Sequence, residues 1–299
     1  MLKIYDCKTF VEEWKDDIHL QMNRLSYAPV LGIGVLGDIS GTPSEVYVNN
    51  KLKVAAELGV NARVYNYTEE TLKSTRLVDI CDRIREDSKN VDAYILQSPA
   101  RLNDYITINM VRNAIWHETD VDCMTDKNRG ALYSGGANYP ATVHGIRYLL
   151  LSEFGSLKGK RALVIGRSDI VGRPAAAMLE HENCTVTLAH SHTSPEELEA
   201  LCSSVDIIIS AVGKPGLIKP HMVRGYGTFV VDVGISRDEN GKLIGDCGDI
   251  SEWEAYFNYE GGPNHPVIVT PVPGGVGLIT TTALMHRTVE NTLNLYFKW

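Results

Sequence analysis

The sequence has little of what marks exported, membrane-spanning or nucleic-acid-binding proteins. Its first residues, MLKIYDCKTF, lack the basic and then apolar order of a signal peptide. The chain contains no run of about 18 apolar residues that could cross a bilayer. The formal net charge is −8 and no block of lysines or arginines occurs, so an extended nucleic-acid surface is not expected. We therefore expect a cytoplasmic protein that acts on small molecules and has no nucleic-acid or membrane partner.

Patterns of metal-binding and disulfide-bonded proteins are also missing. The six cysteines are scattered, without a C-x-x-C pair and without a nearby histidine at the spacing of a zinc ligand. Disulfides are rare in the cytosol, so we expect reduced thiols that are mostly buried. No metal site is predicted.

The patterns that are present predict two α/β domains in the 299 residues, of which 44% are hydrophobic. In the first half, residues 29–37, 61–67 and 91–97 predict strands, and residues 43–58 and 69–87 predict helices. Thr42, Pro43 and Glu45 form the pattern of a helix start with a capping box, and Gly59 that of a helix stop.

From Pro140 the alternation of helices and strands becomes tighter. A helix is predicted up to Gly155 and a last one from about Thr281. Five apolar segments, RALVIG, CTVTLA, VDIIISA, TFVVDVG and PVIVTPV, are typical of parallel strands covered on both faces. The expected fold class is α/β, with two α/β domains and a cleft between them, the second a doubly wound, Rossmann-type parallel sheet. The expected domains are residues 1–139 plus 281–299, and residues 140–280.

The segment GRSDIVGRP, residues 166–174, joins a predicted strand to a predicted helix. Backbone N–H groups at such a junction can receive a pyrophosphate, although the G-x-G-x-x-G spacing is not kept and an ordinary turn is the alternative. The next strand ends in AHSHT, without the carboxylate that usually binds the ribose 2′-hydroxyl of NAD. Arg167, Ser191 and a partly protonated histidine would favour a 2′-phosphate, so we expect NADP rather than NAD. The predicted cofactor-binding residues are Gly166, Arg167, Ser168, Ile170, Gly172, Ser191, Gly213 and Ile235.

Five polar side chains of the first half are candidates for chemistry. Tyr47 and Lys51 lie four residues apart on a predicted helix and therefore share one face. Gln97 ends a predicted strand, and the acids Asp120 and Asp122 follow in ETDVDCMTD. Ligand sites of α/β domains gather at strand ends. Each feature alone is weak, because a lysine beside a tyrosine on a helix is most often an ordinary surface pair.

Residues Pro271–Gly277 combine two prolines with three glycines directly before an amphipathic stretch. Glycine lets a backbone approach another molecule closely, and proline fixes the chain. The segment predicts either a ligand-contacting loop or a simple turn at the start of a helix.

Five blocks occur together in the order and spacing of one family: YVNNKLKVAAELG, ILQSP, TDVDCMT, GRSDIVGRP and TPVPGGVGLIT. Over nearly its whole length the chain resembles the methylenetetrahydrofolate dehydrogenase/cyclohydrolase family. The resemblance implies a bifunctional enzyme of one-carbon metabolism, typically a homodimer. Such an enzyme oxidises 5,10-methylenetetrahydrofolate with NADP and hydrolyses the 5,10-methenyl product to 10-formyltetrahydrofolate.

The resemblance also implies roles for residues. Lys51 would be the key catalytic residue, Tyr47 would stack on the folate, Gln97 would hydrogen-bond to the lysine, and Asp122 would bind the pterin. The segment with Pro273, Gly274 and Gly275 would line the floor of the cleft and contact the substrate.

The sequence departs from the family pattern at a few places. Leu278 and Ile279 replace a proline and a methionine, Ser98 replaces a leucine, and Val143 stands where a second proline is usual. These changes bear on loop rigidity, substrate affinity and the balance of the two activities. Two other functions stay open: an NAD(P)-dependent dehydrogenase of amino or hydroxy acids, in which Lys51 would meet a carboxylic acid, and a folate-binding paralogue without turnover.

Overall fold

The computed structural model describes residues 1–68, 76–97, 108–223, 227–239, 241–258 and 266–296. The chain divides into a first unit, Glu13–Ala141 with Thr281–Trp299, and a second unit, Met1–Glu12 with Thr142–Thr280. The sequence had placed the first twelve residues in the first domain. They belong instead to the second unit, because strand β1 (Leu2–Ile4) pairs in parallel with Val267–Val269. None of the described helices is long and apolar enough to cross a membrane.

The first unit contains a parallel three-stranded sheet, and its strands are those expected from the sequence. In the order across the sheet they are β3 (Asn61–Tyr67), β2 (Val30–Leu36) and β4 (Ala93–Gln97). The helices up to residue 141 are α1 (Cys7–Met22), α2 (Pro43–Glu57), α3 (Leu77–Lys89), α4 (Ile108–Arg112) and α5 (Asp126–Leu132). Part of the helix predicted at 69–87 lies outside the described residues, and α4 and α5 were not predicted.

A buried chain of hydroxyl groups joins this sheet to α3. The hydroxyl of Tyr67 donates to Asp87 at 2.6 Å and lies 3.0 Å from the hydroxyl of Tyr94. Tyr94 crosses β2 where that strand has glycines: a Cβ on Gly34 would lie 2.2 Å from the Tyr94 hydroxyl, and one on Gly32 2.6 Å from the Tyr94 ring. The two glycines are therefore required by the packing of a tyrosine in the core.

Helix α2 carries Tyr47 and Lys51, and its bounds agree with the prediction to within one residue. Gly59 adopts a φ of +73° just after the helix, the left-handed conformation that commonly ends helices. The predicted capping box is wrong. The hydroxyl of Thr42 donates to the carbonyl of Ile39 at 2.6 Å instead of accepting from the helix, and Glu45 accepts from the N–H of Gly41 at 2.8 Å.

The second unit is a doubly wound parallel sheet, which confirms the fold class expected from the sequence. Its six strands lie in the order β1-β11-β8-β7-β5-β6 and pair in parallel throughout. The strands after β4 are β5 (Arg161–Ile165), β6 (Thr185–Ala189), β7 (Ile207–Ser210), β8 (Phe229–Asp232), β9 (Ser236–Arg237), β10 (Leu243–Ile244) and β11 (Val267–Val269). After β5 the chain adds β6 on one side and β7 on the other, so the switch point of the sheet lies between β5 and β7, where such sheets bind ligands.

Five more α-helices are described from residue 141 onward. They are α6 (Ala141–Phe154), α7 (Gly172–His181), α8 (Pro195–Cys202), α9 (Ile250–Phe257) and α10 (Val276–Tyr296). Ser194 caps α8, because its hydroxyl accepts from the N–H of Glu197 at 3.2 Å. Helix α10 begins at Val276, earlier than the predicted Thr281, so the glycine-rich segment runs directly into it. All six cysteines are free and four are buried.

Candidate active site

Lys51 and Gln97 meet in the first unit. Lys51 lies on α2 and Gln97 is the last residue of β4, and the Lys51 ammonium donates to the Gln97 amide oxygen at 3.1 Å. Both side chains are half-buried. Tyr47 lies one helical turn before Lys51 and is 50% exposed, so its ring is open to a ligand. Ser98, the neighbouring departure from the family pattern, lies outside the described residues.

Asp122 supplies the acidic group of this site. Its Oδ1 accepts from the N–H of Ala141 at 2.7 Å, and its side chain is half-buried. Burial raises the pKa of the Asp122 carboxyl, against the effect of the Ala141 hydrogen bond and of the charge on Lys51. Burial lowers the pKa of Lys51 from 10.5, and the charge of Asp122 opposes that change. Burial thus favours the neutral form of Lys51, in which an amine can accept a proton, whereas the Ala141 hydrogen bond and the charge of Lys51 favour the ionised form of Asp122 against the effect of burial.

Asp120 has a different role from Asp122, although both acids belong to the same short segment. Asp120 is buried, and its carboxylate accepts from Met124 N, Thr125 N, Thr125 Oγ1 and Asn128 Nδ2 at 2.8–2.9 Å. Thr125 in turn caps α5. Asp120 therefore shapes the loop that carries Asp122.

The second unit holds a cavity of about 850 Å³ at the carboxyl ends of β5, β6 and β7, next to the switch point of the sheet. Side chains and backbone from each strand end line it. They include Gly166 and Arg167 after β5, His190 and Ser191 after β6, and Val212 and Lys214 after β7. Three of the predicted cofactor-binding residues, Gly166, Arg167 and Ser191, are thus brought together here.

The loop after β5 is folded so tightly that glycine is required at both ends. A Cβ on Gly172 would lie 2.1 Å from the Gly166 carbonyl oxygen, and one on Gly166 would lie 2.5 Å from the Ala211 carbonyl oxygen. Gly166 also has a φ of +108°. The hydroxyl of Ser168 accepts from the N–H groups of Val171 and Gly172 at 3.3 and 3.2 Å. The loop brings bare backbone to the cavity wall, as a pyrophosphate site needs.

The charges around the cavity favour an anionic ligand. Three cationic side chains and one carboxylate line it, namely Arg167, Lys214, Lys219 and Glu199. The N–H of His192 donates to Nδ1 of His190 at 3.2 Å, so a neutral His190 carries its proton on Nε2. Cationic side chains of this kind pair with phosphate groups.

Three further predicted residues lie around the ends of these strands. Ile170 and Ile235 are exposed apolar side chains. Gly213 has a φ of +75°, and a Cβ there would lie 3.5 Å from the carbonyl oxygen of Ile235. Gly213 and Ile235 are therefore neighbours after β7 and β8, where an apolar ring could lie against them.

The segment Pro271–Gly277 is a turn that leads into α10. Its Val272–Pro273 peptide bond is cis, and Gly274 has a φ of +92°. A Cβ on Gly275 would lie 2.1 Å from the carbonyl oxygen of Pro271. The geometry of the turn itself therefore requires these two glycines, whatever the segment contacts.

Several polar residues near the cavity were not identified from the sequence. Lys214 and Lys219 line it, and the buried acids Asp232 and Asp246 lie behind the loop after β7. No local pattern marks them, since lysines and aspartates at such positions are common in loops.

Comparison with known proteins gives the same assignment for both units. The sequence model of the tetrahydrofolate dehydrogenase/cyclohydrolase catalytic domain matches residues 5–122, and that of the NAD(P)-binding domain matches residues 140–295. A bifunctional protein FolD of Moorella thermoacetica is 36% identical over 292 residues, which cover 96% of this chain and 98% of the relative.

Solved structures of similar proteins extend over the whole chain. The bifunctional FolD methylenetetrahydrofolate dehydrogenase/cyclohydrolase of Campylobacter jejuni has a TM-score of 0.83 at 29% identity, covering 99% of this chain and 100% of that one. The Trypanosoma brucei enzyme, solved with NADP cofactor and an inhibitor, has a TM-score of 0.80 at 25% identity and covers 99% of each chain. The chain therefore belongs to the tetrahydrofolate dehydrogenase/cyclohydrolase family.

Proposed function

We propose that this chain oxidises 5,10-methylenetetrahydrofolate with NADP and hydrolyses the resulting 5,10-methenyl compound to 10-formyltetrahydrofolate. The hydrogen bond between Lys51 and Gln97, beside Asp122, carries the proposal for the first unit. The cavity with Arg167 and Ser191 carries it for the second. Family membership supports the pair of activities, and the choice of NADP and the roles of residues are our assignment.

Hydrolysis needs a base that can activate water beside a cation. Burial lowers the pKa of Lys51, and a cationic methenyl substrate would lower it further, so both effects shift the lysine toward its neutral form. The neutral amine takes one proton from the attacking water as the new C–O bond forms and returns it to the ring nitrogen as the C–N bond breaks. The second proton of the water leaves to solvent as the formyl C=O forms. The Gln97 amide oxygen holds the amine without adding a charge that would keep it protonated.

Asp122 and Tyr47 bind the substrate in this proposal. A carboxylate accepts two N–H bonds from the edge of an aminopyrimidinone, which is a strong and directional pairing. The exposed ring of Tyr47 offers a flat apolar face on which the pterin stacks. Pro273, Gly274 and Gly275 would present backbone to the same substrate.

Oxidation requires orientation more than acid or base chemistry. NADP supplies the hydride acceptor when it is bound. The carbon that gives up the hydride lies between two nitrogens, whose lone pairs stabilise the cation that forms. The protein has to hold two flat rings in contact, and Ile170, Gly213 and Ile235 would hold the nicotinamide while Gly166, Ser168 and Gly172 approach the phosphates.

NADP is favoured over NAD by the charges at the ends of β5 and β6. Arg167 and Ser191 line the cavity there, and the segment His190–Thr193 carries no carboxylate that would repel a 2′-phosphate. A dehydrogenase of amino or hydroxy acids is not favoured, because the chain belongs to the folate family over nearly its full length. A homodimer is proposed as the working assembly on the ground of the resemblance alone.

The test is a direct assay of both half-reactions with the purified chain. We expect the absorbance of the methenyl compound to rise when methylenetetrahydrofolate is mixed with NADP, and to rise more slowly with NAD. We expect that absorbance to fall when the methenyl compound is supplied without a dinucleotide. A chain that binds folate and dinucleotide but turns over neither compound would be the silent paralogue.

A further inference from the structure

A fully buried carboxylate holds the loop that follows β7. Asp246 comes directly after the β9–β10 hairpin and has no exposed surface. Its Oδ2 accepts from the hydroxyl of Ser210 at 2.7 Å and from the N–H of Val212 at 2.9 Å. Its Oδ1 accepts from the N–H of Lys214 at 2.7 Å. Both carboxylate oxygens are thus used on one short stretch of chain.

That stretch forms part of the wall of the nucleotide cavity. Val212 and Lys214 line the cavity, and Gly213 between them adopts the left-handed conformation. Because two of the three N–H groups bond to Asp246, the loop is fixed in one shape with the Lys214 side chain at the cavity. Without those acceptors, a loop built around glycine would have several conformations available.

A second buried acid fixes Asp246 itself. Oδ1 of Asp232 accepts from the N–H of Asp246 at 2.9 Å, and Oδ2 accepts from the N–H of Cys247 at 2.8 Å. The packing leaves no space for adjustment: a Cβ on Gly234 would lie 2.2 Å from Oδ1 of Asp246, and one on Gly245 would lie 2.1 Å from Oδ2 of Asp232. Burying two carboxylates side by side costs free energy, and the hydrogen bonds that they accept offset this cost.

We propose that Asp246 is a positioning residue for the dinucleotide: it sets the Val212–Lys214 loop in the shape that the bound cofactor requires. This inference rests on the proposed function, because it takes the cavity as the dinucleotide site. Asp246 does not touch the cofactor and acts through the loop. Its effect should therefore fall on dinucleotide affinity and oxidation, and not on hydrolysis.

The test compares Asp246→Asn with Asp206→Asn. In Asp246→Asn one oxygen still accepts, but the new NH₂ group faces a donor, so one loop N–H loses its partner. Asp206 is the matched control, because its carboxylate accepts from the N–H of Arg161 at 2.8 Å at the opposite, amino end of β5. Dissociation constants for NADP and NAD, melting temperature, and hydrolysis of the methenyl compound without dinucleotide are measured on each protein.

We expect Asp246→Asn to raise the dissociation constants for both dinucleotides about tenfold or more, because one buried hydrogen bond is lost. Hydrolysis should stay within about twofold of wild type, because Lys51, Gln97 and Asp122 lie in the other unit, and Asp206→Asn should change neither quantity. Unchanged dinucleotide affinity in Asp246→Asn, or an equal loss of hydrolysis and affinity, would overturn the inference while leaving the proposed function in place. A wild-type chain that binds neither dinucleotide would overturn both.

If Asp246→Asn does not fold, Ser210→Ala serves the same purpose. It removes the hydroxyl that donates to the Asp246 carboxylate and leaves both carboxylate oxygens as acceptors for the loop. We expect a loss of dinucleotide affinity of about threefold from the loosened carboxylate, without a change in hydrolysis. Full affinity in a folded Ser210→Ala protein would contradict the inference.

Discussion

The amide oxygen of Gln97 accepts a hydrogen bond from the ammonium group of Lys51 at 3.1 Å. The bond joins the middle of helix α2 to the last residue of strand β4. An amide orients the lysine without a charge, whereas a carboxylate at the same place would hold the proton on the amine. The identity of residue 97 therefore controls how much neutral Lys51 is present.

Gln97→Glu should shift the pH dependence of hydrolysis. In the proposed mechanism only neutral Lys51 acts as a base, so the wild-type rate should rise with pH through a pKa that burial holds below 10.5, and level off above it. The new carboxylate favours the charged lysine, so the rise should move to higher pH and the rate at neutral pH should fall by about tenfold or more. Rate profiles of both proteins check this, and coincident profiles would contradict it.

The same shift predicts a small effect of pH on stability. The pKa of Lys51 is lower in the folded chain than in the unfolded one, so the unfolded chain binds more protons between the lowered pKa and 10.5. The contribution of Lys51 to stability should therefore rise with pH in that window. Chemical unfolding of wild type and Lys51→Met across it provides the measurement, and a wild-type gain no larger than that of the variant would count against the shift.

Asp120→Asn should affect stability, whereas Asp122→Asn should affect folate binding. The first leaves donors of the 124–128 loop facing an NH₂ group, so it should lower stability by about 1–3 kcal/mol. The second keeps an acceptor for Ala141 and removes a charge that burial disfavours, so stability should not fall. It should instead raise the KM for folate by about tenfold or more, because an amide offers the pterin one acceptor. Equal melting temperatures, or unchanged folate KM in Asp122→Asn, would refute the division of roles.

Arg167→Ala should distinguish the two dinucleotides. It removes a cation that only a 2′-phosphate needs, so the affinity for NADP should fall by about tenfold or more and that for NAD should change little. Arg173→Ala is the control, because Arg173 lies on α7 and forms an ion pair with Asp169, which belongs to the same loop as Arg167. Titration of each protein with both dinucleotides is the measurement. Equal losses for NADP and NAD in Arg167→Ala would contradict the NADP assignment.

Gly172→Ala should damage the nucleotide loop, and Gly130→Ala should not. The new methyl group at 172 would lie 2.1 Å from the Gly166 carbonyl oxygen, and such overpacking costs about 1–3 kcal/mol. At 130, in helix α5, the new methyl group meets no atom within 4 Å, and alanine is the better helix former. Melting temperatures and NADP affinity decide between them. A Gly172→Ala protein as stable as wild type and with wild-type affinity would show that the loop relaxes freely.

The strands and helix ends that depend on a local sequence pattern could be predicted from the sequence. Local patterns predicted the parallel strands of both sheets except β1, which was not expected, and Gly59 and Gly155 marked the ends of their helices. Lys51, Gln97 and Asp122 were assigned only through the family resemblance, since their contact joins elements distant in the chain. Thr42 does not cap α2, because its hydroxyl donates to the backbone carbonyl of Ile39 instead.

What the sequence could not supply depends on tertiary contacts. Residues 32–37 match the G-x-G-x-x-G pattern, yet Gly32 and Gly34 lie inside strand β2 and serve the packing of Tyr94. The loop that does line the cavity lacks that spacing. Asp232 and Asp246 gain their importance from hydrogen bonds to loops far away in the chain, which no local pattern contains.

The central claim is that one half-buried lysine performs the hydrolysis. The most direct measurement is the turnover of the methenyl compound by Lys51→Met, beside its melting temperature and its affinity for NADP. Our account predicts a loss of hydrolysis of about a hundredfold or more, with stability not lowered and NADP affinity unchanged. Wild-type hydrolysis by a folded Lys51→Met protein would contradict the account.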